Sequence, residues 1–334
     1  MRGFLSLIAV LAIVLAAWTG ALATGLRWPL AVLLPAASAL VFVAGTVRRV
    51  LTWANSPVPF RIPVTCGQQA SLPWLQANRF DNPATTTCVV VRMALEVLLF
   101  RSLARNVRAE LGPARLVYRD AAALWAAALA FHYSLLVVVV RHLRLVAEPV
   151  PALVTALASL DSFFQVGVPA VYATDVVLVA ALGYLLSRRF RSPQVRSLSL
   201  FGDYFFLFLL LGIATTGLLM RHVVRVDLVS VKELATSLVM FSSPPVAASL
   251  HPLVFAHLAL VSTLVACLPF TKLSHMAGVF LSPTRNLANN NRATRHVSPW
   301  QDAVKVHTYR EWEEEFREKL IAAGLPVEGR GDHA

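Results

Sequence analysis

Long apolar stretches alternate with short polar, arginine-bearing connections along most of this chain. A membrane-spanning helix needs about 20 largely apolar residues, and windows of that kind lie at 4–23, 28–47, 118–141, 167–187, 198–220 and 250–272. The pattern predicts an all-α integral membrane protein, a bundle of six transmembrane helices. The first window ends in Ala21-Leu22-Ala23, which resembles a signal-peptide cleavage site. We expect this segment to be retained as the first helix of the bundle.

The composition agrees with this class of protein. The chain has 334 residues, of which 57% are hydrophobic and only 14% are charged, a balance typical of integral membrane proteins. The formal net charge of +12 could indicate a nucleic-acid partner, but the arginines cluster beside the predicted spans rather than on one soluble face. We therefore expect the lipid bilayer, and no nucleic acid, as a partner.

The arginines predict the orientation of the bundle. Nine lie between the second and third spans, beginning directly after the second span at Arg48, and four more lie between Ser187 and Arg196. The connections 143–165 and 221–250 balance their few basic residues with acidic ones. Because cytoplasmic connections carry the excess of Lys and Arg, we expect both termini in the cytoplasm and the protein in the inner, cytoplasmic membrane.

The spans divide the chain into four regions. These are two N-terminal transmembrane helices at 1–47, a cytoplasmic loop at 48–117, a four-helix core at 118–275 and a cytoplasmic tail at 276–334.

Amphipathic helices are predicted in both soluble regions. In the loop, residues 89–110 place three arginines on one helical face and leucines and valines on the other. This helix either lies on the inner leaflet or packs against a soluble partner subunit. In the tail, Thr308 and Glu311 form a capping box at the start of a short helix that closes near Gly324. The tail helix either grips a soluble partner or is simply solvated.

The three cysteines, Cys66, Cys88 and Cys267, form no C-x-x-C pair. No iron–sulfur cluster or covalently attached haem is therefore built from this chain alone. Cys66 and Cys88 lie on the reducing side in the expected topology, where structural disulfides are rare, and we interpret them as ordinary thiols. The sequence also lacks a nucleophile with an adjacent base, so no catalytic residue is predicted.

Four histidines lie in predicted spans, where an ionisable group is costly and by default indicates a functional site. His132 and His142 are on the third span, and His257 and His275 are on the sixth. At 1.5 Å per residue the first two are about 15 Å apart and the last two about 27 Å apart, so neither pair can share one metal ion. The second spacing equals about five helical turns, which places both residues on one face of a continuous helix.

The third and sixth spans run antiparallel in the expected topology. His132 then faces His275 in the inner half of the membrane, and His142 faces His257 in the outer half. Each level offers two imidazoles from facing helices, which is the ligand set of a bis-histidine haem b within apolar walls. We therefore predict two haem b groups, with irons about 20 Å apart, as an electron path across the membrane.

Two other classes of function remain open. A histidine-lined proton or ion transporter would usually carry carboxylates among its intramembrane histidines, whereas Asp175 and Asp203 lie near span ends. A purely structural membrane anchor would use the histidines only for contacts between helices. His222 and His251, also at span ends, are interpreted as interfacial rather than ligating.

The spacing of the four histidines resembles that in a known family. A pair ten residues apart on one helix and a pair eighteen apart on the last helix, followed by a basic tail, is similar to the di-haem cytochrome b gamma subunits of respiratory nitrate reductases. The sequences RIPVTCGQQ at 61–69 and PFTKLSHMAGVFLSPTRNLANNN at 269–291, with the extra N-terminal helix, resemble the DsrM family more closely. DsrM proteins are the membrane cytochrome b subunits of the dissimilatory sulfite reductase-associated Dsr complex.

The resemblance implies a function and partners. It implies electron transfer between menaquinone, or another quinone, and a cytoplasmic iron–sulfur subunit similar to heterodisulfide reductase, in dissimilatory sulfur metabolism. Further implied partners are a periplasmic multihaem cytochrome c, an iron–sulfur protein and a second membrane subunit. The alternative within the superfamily is the quinol-oxidising cytochrome b subunit of a nitrate reductase-type or other respiratory complex. One departure concerns the quinone site, because this chain has Ser162 where the nitrate reductase subunit has a quinone-contacting lysine.

Polar residues near the histidines are candidate contacts for these groups. A quinone docked beside the outer haem would meet His142, with Arg144 or Asp175 as further polar contacts. At the cytoplasmic end, Lys272 or Arg285 either pairs with haem propionates or serves only as a positive-inside anchor. The chain is thus expected to conduct electrons rather than to make or break sulfur bonds.

Overall fold

The computed structural model describes residues 1–55, 74, 78–111, 116–162, 169–242, 248–289 and 307–328. The chain divides into two compact units, residues 1–294 and residues 295–334. The first unit holds all the long apolar helices of the described residues.

Helices dominate the first unit. They are α1 (Arg2–Leu22), α2 (Leu34–Ala54), α3 (Thr86–Leu99), α4 (Arg101–Ala104), α5 (Ala122–His142), α6 (Ala152–Asp161), α7 (Ala173–Arg191), α8 (Pro193–Leu198), α9 (Phe201–Leu218), α10 (Leu228–Val239), α11 (Pro252–Cys267), α12 (His275–Leu281) and α13 (Pro283–Asn286). An antiparallel hairpin of β1 (Val107–Leu111) and β2 (Leu116–Asp120) precedes α5. Turns of π-helix at Pro29–Leu33 and Leu219–Val224 extend α2 and α9.

Five helices among the described residues are long and apolar enough to cross a membrane. They cover Arg2–Leu22, Pro29–Ala54, Ala122–Leu145, Phe201–Val224 and Pro252–Phe270. The remaining predicted span, 167–187, corresponds to α7, a helix of 19 residues. α7 carries Asp175 in its first turn and Arg188, Arg189 and Arg191 in its last turn, so its uncharged stretch is shorter than those of the other five helices.

The long helices alternate in direction, so the bundle has two distinct ends. At one end the start of α1 meets the connection between α8 and α9, where Arg2 Nη1 donates to Ser199 O at 3.1 Å. The same end holds the C-terminal ends of α2, α7 and α11 and the N-terminal ends of α5 and α9. We refer to it as the His275 end and to the opposite one as the His142 end.

α1 is an integral part of the bundle. Ala17 of α1 packs against Ala256 and Ala259 of α11, and all three are buried. Small side chains at such a contact let two helices approach closely. Ser6 is fully buried, and its hydroxyl donates to Phe201 O of α9 at 2.9 Å.

The last long helix does not continue to His275. After α11, 3₁₀ turns at Leu268–Phe270 and Lys272–Ser274 lead to α12, which begins at His275. Pro269 has no N–H for the next helical hydrogen bond, and Thr271 is extended, with φ −124° and ψ 176°. The prediction of one continuous helix through both histidines of the last span is therefore wrong.

Gly45 determines how closely α2 approaches this break. A Cβ at Gly45 would lie 2.6 Å from the Phe270 ring and 3.0 Å from Pro269 Cβ. A larger residue at this position would therefore require the Phe270 ring to move.

The connection after α2 differs from the single amphipathic helix predicted over 89–110. α3 ends because Phe100 adopts the left-handed conformation, with φ 50° and ψ 44°. After the short α4 the chain enters the hairpin at Val107, so the last residues of the predicted helix form a strand. Residues 61–69, which carry one of the family motifs and Cys66, lie outside the described residues.

The second unit contains α14 (Tyr309–Ala322) within residues 307–328. The predicted capping box is confirmed, because the Thr308 hydroxyl accepts from Glu311 N at 3.3 Å and the Glu311 carboxylate accepts from Thr308 N at 2.9 Å. Gly324 follows the helix with a positive φ of 69°, as expected for a glycine at a helix C-terminus.

Candidate functional site

The structure brings the imidazoles of His132 and His275 together. Their ring centroids are 5.9 Å apart, and their planes are nearly perpendicular, at 87°. His132 lies on α5 and His275 is the first residue of α12. The pair therefore joins the third predicted span to the segment that follows the last one.

The spacing of the two rings fits a metal ion bound between them. Imidazole nitrogens bind metal ions at about 2 Å, so rings on opposite sides of one ion have centroids about 6 Å apart. Within the described residues no group of three or more His, Cys, Asp or Glu side chains could hold a bare metal ion. A porphyrin supplies four in-plane nitrogens itself and needs only two axial ligands from the protein, so a pair of imidazoles fits a haem.

His142 and His257 lie at a second level of the same bundle. His142 ends α5 and His257 lies on α11, and the two are close enough for their charges to interact. Along α5, His132 and His142 are about 15 Å apart. The structure thus brings the predicted partners near each other at both levels, and their role as haem ligands stays a prediction.

Each of the four histidines uses its Nδ1 in a hydrogen bond within the protein. For three of them the partner is a backbone carbonyl three or four residues earlier, at 2.7 to 3.0 Å. For His257 the partner of Nδ1 is the Thr216 hydroxyl on α9, at 2.8 Å, and the ring also bonds to the Ile213 carbonyl of the same helix. When Nδ1 carries the proton and donates it, the lone pair of Nε2 is free to bind a metal ion, and metal-ligating histidines are usually held in this way.

Replacing Thr216 with valine tests this support of His257. The variant keeps the side-chain shape but removes the hydroxyl that accepts from the imidazole, and loss of such a partner typically weakens metal binding about 10- to 100-fold. We expect weaker retention of one haem and a shifted midpoint potential, measured by haem content and redox titration. Thr263→Val is the matched control, because among the described residues that hydroxyl bonds only to Ala259 O of its own helix, at 2.8 Å. Equal behaviour of the two variants would contradict the proposed support.

Aromatic rings enclose His132. Phe131 and Phe100 meet its ring edge-on, with centroid distances of 4.9 and 5.0 Å. Phe100 forms the elbow between α3 and α4. Two hydrogen bonds hold this elbow against α5. Trp125 Nε1 and the Tyr133 hydroxyl donate to carbonyls at the end of α3, at 2.7 and 2.9 Å. The loop before the core therefore contributes directly to the surroundings of His132.

A buried polar group lies beside His142. Arg141, only 7% exposed, pairs through Nη1 with Asp161 at 3.3 Å and through Nη2 with Asp175 at 2.5 Å. Thr174 donates to both oxygens of Asp161, from its N–H at 2.8 Å and from its hydroxyl at 2.6 Å. These four residues, which we call the Arg141 cluster, tie together the ends of α5 and α6 and the start of α7.

Three buried nitrogens at this end lack hydrogen-bond partners among the described residues. They are Nε of Arg141, Nε of Arg221 and Nε2 of His222. The guanidinium carbons of Arg141 and Arg221 both lie over the ring of Tyr172, 3.7 and 4.3 Å from its centroid, so these three side chains are neighbours. Buried polar atoms are normally partnered, so these three nitrogens are exceptions within the described residues.

The structure separates the predicted quinone contacts. Asp175 belongs to the Arg141 cluster, whereas Arg144 is exposed on the 3₁₀ turn after α5.

The sequence interpretation missed Arg141 and Asp161, although a signal was present. Arg141 is a charged residue in an apolar helix directly beside a candidate ligand, and Asp161 is the one acidic residue of the short apolar α6; charged residues in such positions are candidates for function.

The two predicted propionate contacts have protein partners at the His275 end. Lys272 Nζ lies 3.2 Å from Asp203 Oδ1. The Lys272 side chain is otherwise exposed. Arg285 donates to Glu96 at 3.0 Å and to the Ser102 hydroxyl at 2.6 Å. Arg285 thereby ties the segment after α12 to the elbow between α3 and α4, and the role of either residue toward a propionate stays a prediction.

A further ion-pair group stabilises the same elbow. Asp81 pairs with Arg101 at 3.3 Å and with Arg105. Partial burial acts to raise the pKa of Asp81, but hydrogen bonding to Asn78 and the charges of the two arginines outweigh it and hold that pKa below its usual value. Because the folded pKa is the lower one, this carboxylate contributes stability above its unfolded pKa and loses it as the pH falls through the folded pKa.

His251 has a structural role at the His142 end. Its Nδ1 accepts from Leu253 N at 3.2 Å and so caps the start of α11, a position where an accepting side chain satisfies a free N–H. Its ring meets Trp18 edge-on, with centroids 5.4 Å apart. This capping contact accounts for a histidine at a span end without any ligand.

Comparison with known proteins identifies relatives of the chain. The family model described as nitrate reductase gamma subunit matches residues 89–295. An Hdr-like menaquinol oxidoreductase cytochrome b-like subunit of Archaeoglobus fulgidus is 43% identical over 305 residues, which covers 90% of this chain and 87% of the relative. The protein of the same description from Archaeoglobus profundus is 42% identical over 268 residues, covering 78% of this chain and 79% of the relative. With two histidine pairs between apolar helices and a match over more than half of its length, the chain belongs to the nitrate reductase gamma subunit family.

Proposed function

We propose that this chain is a di-haem cytochrome b subunit that carries electrons between menaquinone and a cytoplasmic, heterodisulfide reductase-like iron–sulfur subunit. The observation that carries the proposal is the arrangement of four histidines in two pairs, each with Nδ1 engaged and Nε2 left for a ligand. The descriptions of the two Archaeoglobus relatives support the quinol and the Hdr-like partner. The DsrM-like motifs support a place in dissimilatory sulfur metabolism.

His132 and His275 would hold one haem b, and His142 and His257 would hold the other. A haem bound there would supply reversible one-electron chemistry at a potential that its surroundings set. The protein orients the imidazoles through their Nδ1 partners, excludes water with the aromatic rings around His132 and maintains the distance between the two levels along the rigid α5. In this proposal the sulfur chemistry belongs to the partner subunits.

The charge pattern supports an orientation in which the His275 end faces the cytoplasm. The arginines at the end of α7 and in α8 lie at that end, and cytoplasmic ends of spans carry such an excess. α7 is then the remaining span, the fourth in chain order, and both termini are cytoplasmic in the inner membrane. The quinone binds at the His142 end and the iron–sulfur subunit at the His275 end. A second membrane subunit, a periplasmic multihaem cytochrome c and a further iron–sulfur protein complete the proposed complex.

The haem content of the purified protein tests this proposal. A pyridine haemochrome assay should give two haem b per chain, and dithionite should produce a b-type absorption band. A soluble menaquinol analogue should then reduce the oxidised protein in a reaction that quinol-site inhibitors block. A colourless protein would contradict the proposal and favour a histidine-lined ion transporter. One haem per chain would contradict the arrangement at two levels.

A further inference from the structure

We propose that Glu96 is a positioning residue for the pair of His132 and His275. Its carboxylate joins the elbow that contacts His132 to the segment that carries His275, and it thereby sets how the two imidazoles stand relative to each other. The inference deepens the proposed function, because it rests on the assignment of this pair as the ligands of one haem b.

The Glu96 carboxylate binds groups from two other segments. Oε1 accepts from Nη1 of Arg285 at 3.0 Å, and Oε2 accepts from the backbone N–H of Ser102 at 3.0 Å. The same Arg285 nitrogen donates to the Ser102 hydroxyl at 2.6 Å. The Glu96 side chain is only 17% exposed, which strengthens these bonds relative to bonds in water. One carboxylate on α3 thus holds both α4 and α13.

On its first side, Glu96 fixes the elbow at Phe100. The backbone there is left-handed, with φ 50°, a conformation that is strained for a bulky residue. Phe100 N donates to Glu96 O at 3.2 Å, and the Glu96 carboxylate holds the amide of Ser102 just beyond the turn. The ring of Phe100 is therefore kept edge-on to His132, with 5.0 Å between their centroids.

On its second side, Glu96 holds the segment that carries His275. Because a break separates α12 from α11, no continuous helix fixes the position of His275. A single residue separates α12 from α13, and α13 is bonded to Glu96 through Arg285. Just beyond α13, the side-chain amide of Asn289 donates to Asn82 at 2.7 Å. The segment after His275 is therefore anchored on the loop before the core.

The charges around Glu96 make this contact more than an isolated pair. Arg92, one turn earlier on α3, is close enough to Glu96 and Arg285 for their charges to interact. Glu96 therefore lies beside two arginines that would repel each other without it. Loss of the carboxylate would both release α13 and push it away from α3.

A change at Glu96 would reach the haem through its two ligands. The rings of His132 and His275 are nearly perpendicular, at 87°, and each bonds through Nδ1 to a carbonyl of its own segment. Each ring therefore moves with the segment that carries it. The redox potential of a haem depends on the surroundings of its axial ligands, and its ferric EPR spectrum depends on the angle between the two imidazole planes.

Glu96→Met provides the test, because methionine keeps the length and helix propensity of the side chain but removes both acceptors. We expect the midpoint potential and the ferric EPR signal of one haem to shift, while those of the other stay as in the wild type. The amide of Ser102 should exchange with deuterium about tenfold faster or more, as for loss of a hydrogen bond to a charged group. Glu148→Met, in the exposed pair with Lys232 at the His142 end, is the matched control and should change none of these values.

Two replacements of Arg285 distinguish positioning from folding, and they decide the question if Glu96→Met fails to fold. Both contacts of Arg285 come from one nitrogen, so a lysine ammonium can reproduce them. Arg285→Lys should therefore keep a nearly wild-type potential and EPR signal, whereas Arg285→Met should shift both. Adding Glu96→Met to Arg285→Met should shift them little further, because the two side chains act through one contact.

Unchanged potentials and EPR signals in Glu96→Met would overturn the inference, and faster exchange of Ser102 alone would then show a purely structural role. Equal behaviour of Arg285→Lys and Arg285→Met would overturn it as well. If the wild type holds two haems and these variants behave as the wild type, only this inference fails. If the wild type holds no dithionite-reducible haem, the proposed function itself fails, even when the exchange of Ser102 responds to Glu96→Met.

Discussion

Replacing His132 with alanine should remove one of the two haem equivalents and leave the other in place. Its imidazole forms one side of a pair whose centroids are 5.9 Å apart, and even a change to the partner of a ligand weakens metal retention about 10- to 100-fold, so losing the ligand itself has a larger effect. His275→Ala should lose the same haem, and His142→Ala and His257→Ala should both lose the other. A pyridine haemochrome assay gives the count, and a redox titration shows which haem remains.

His251→Ala is the matched control for these variants, because its imidazole caps α11 and should not bind metal. That variant should keep both haems. The double variant His132→Ala/His275→Ala should lose no more haem than either single variant. Loss of the same haem from His132→Ala and His257→Ala would show that the pairing is wrong.

Replacing Arg141 with methionine should lower the free energy of unfolding by about 3–5 kcal/mol, because it leaves buried charges without a partner. Asp161 and Asp175 would both lose their cation, and the side chain of Asp161 is almost wholly buried. Methionine has a similar length and is apolar, so the packing of the end of α5 should be preserved. Denaturant titration of the detergent-solubilised protein measures the change.

Arg144→Met is the control for that variant, because Arg144 is exposed three residues later and its replacement should change stability by less than about 0.5 kcal/mol. Adding Asp161→Asn and Asp175→Asn to Arg141→Met should restore much of the lost stability, since no buried charge then remains unpaired. An Arg141→Met protein as stable as the wild type would show that water reaches the two carboxylates.

The long helices could be predicted from sequence because a membrane span has one dominant requirement, a run of apolar residues of sufficient length. α1, α5 and α11 lie within a few residues of the windows that predicted them. That His132 lies near His275 could also be predicted, from the positions of the histidines along the third and sixth spans and from the opposite directions of those two spans. The capping box of α14 was readable because it depends only on residues close together in the chain.

The features that were missed depend on contacts between distant segments. α3 stops at Phe100, and hydrogen bonds from Trp125 and Tyr133 on α5 hold its end in place; no local pattern in the loop indicates this. Pro269 indicates a helix break after α11. The apolar residues continue across this position, however, and so the sequence was interpreted as one helix. The Arg141 cluster draws on three helices, so the sequence shows its members only as isolated charges near span ends.

The pairing of His132 with His275 also has a consequence for biogenesis. The two residues belong to α5 and α12, so during synthesis the ribosome must complete nearly all of the membrane region before either proposed haem pocket has both of its walls. A haem bound by both residues would then be inserted late in synthesis and would connect α5 to α12. Chains truncated before α11 should enter the membrane yet retain no haem.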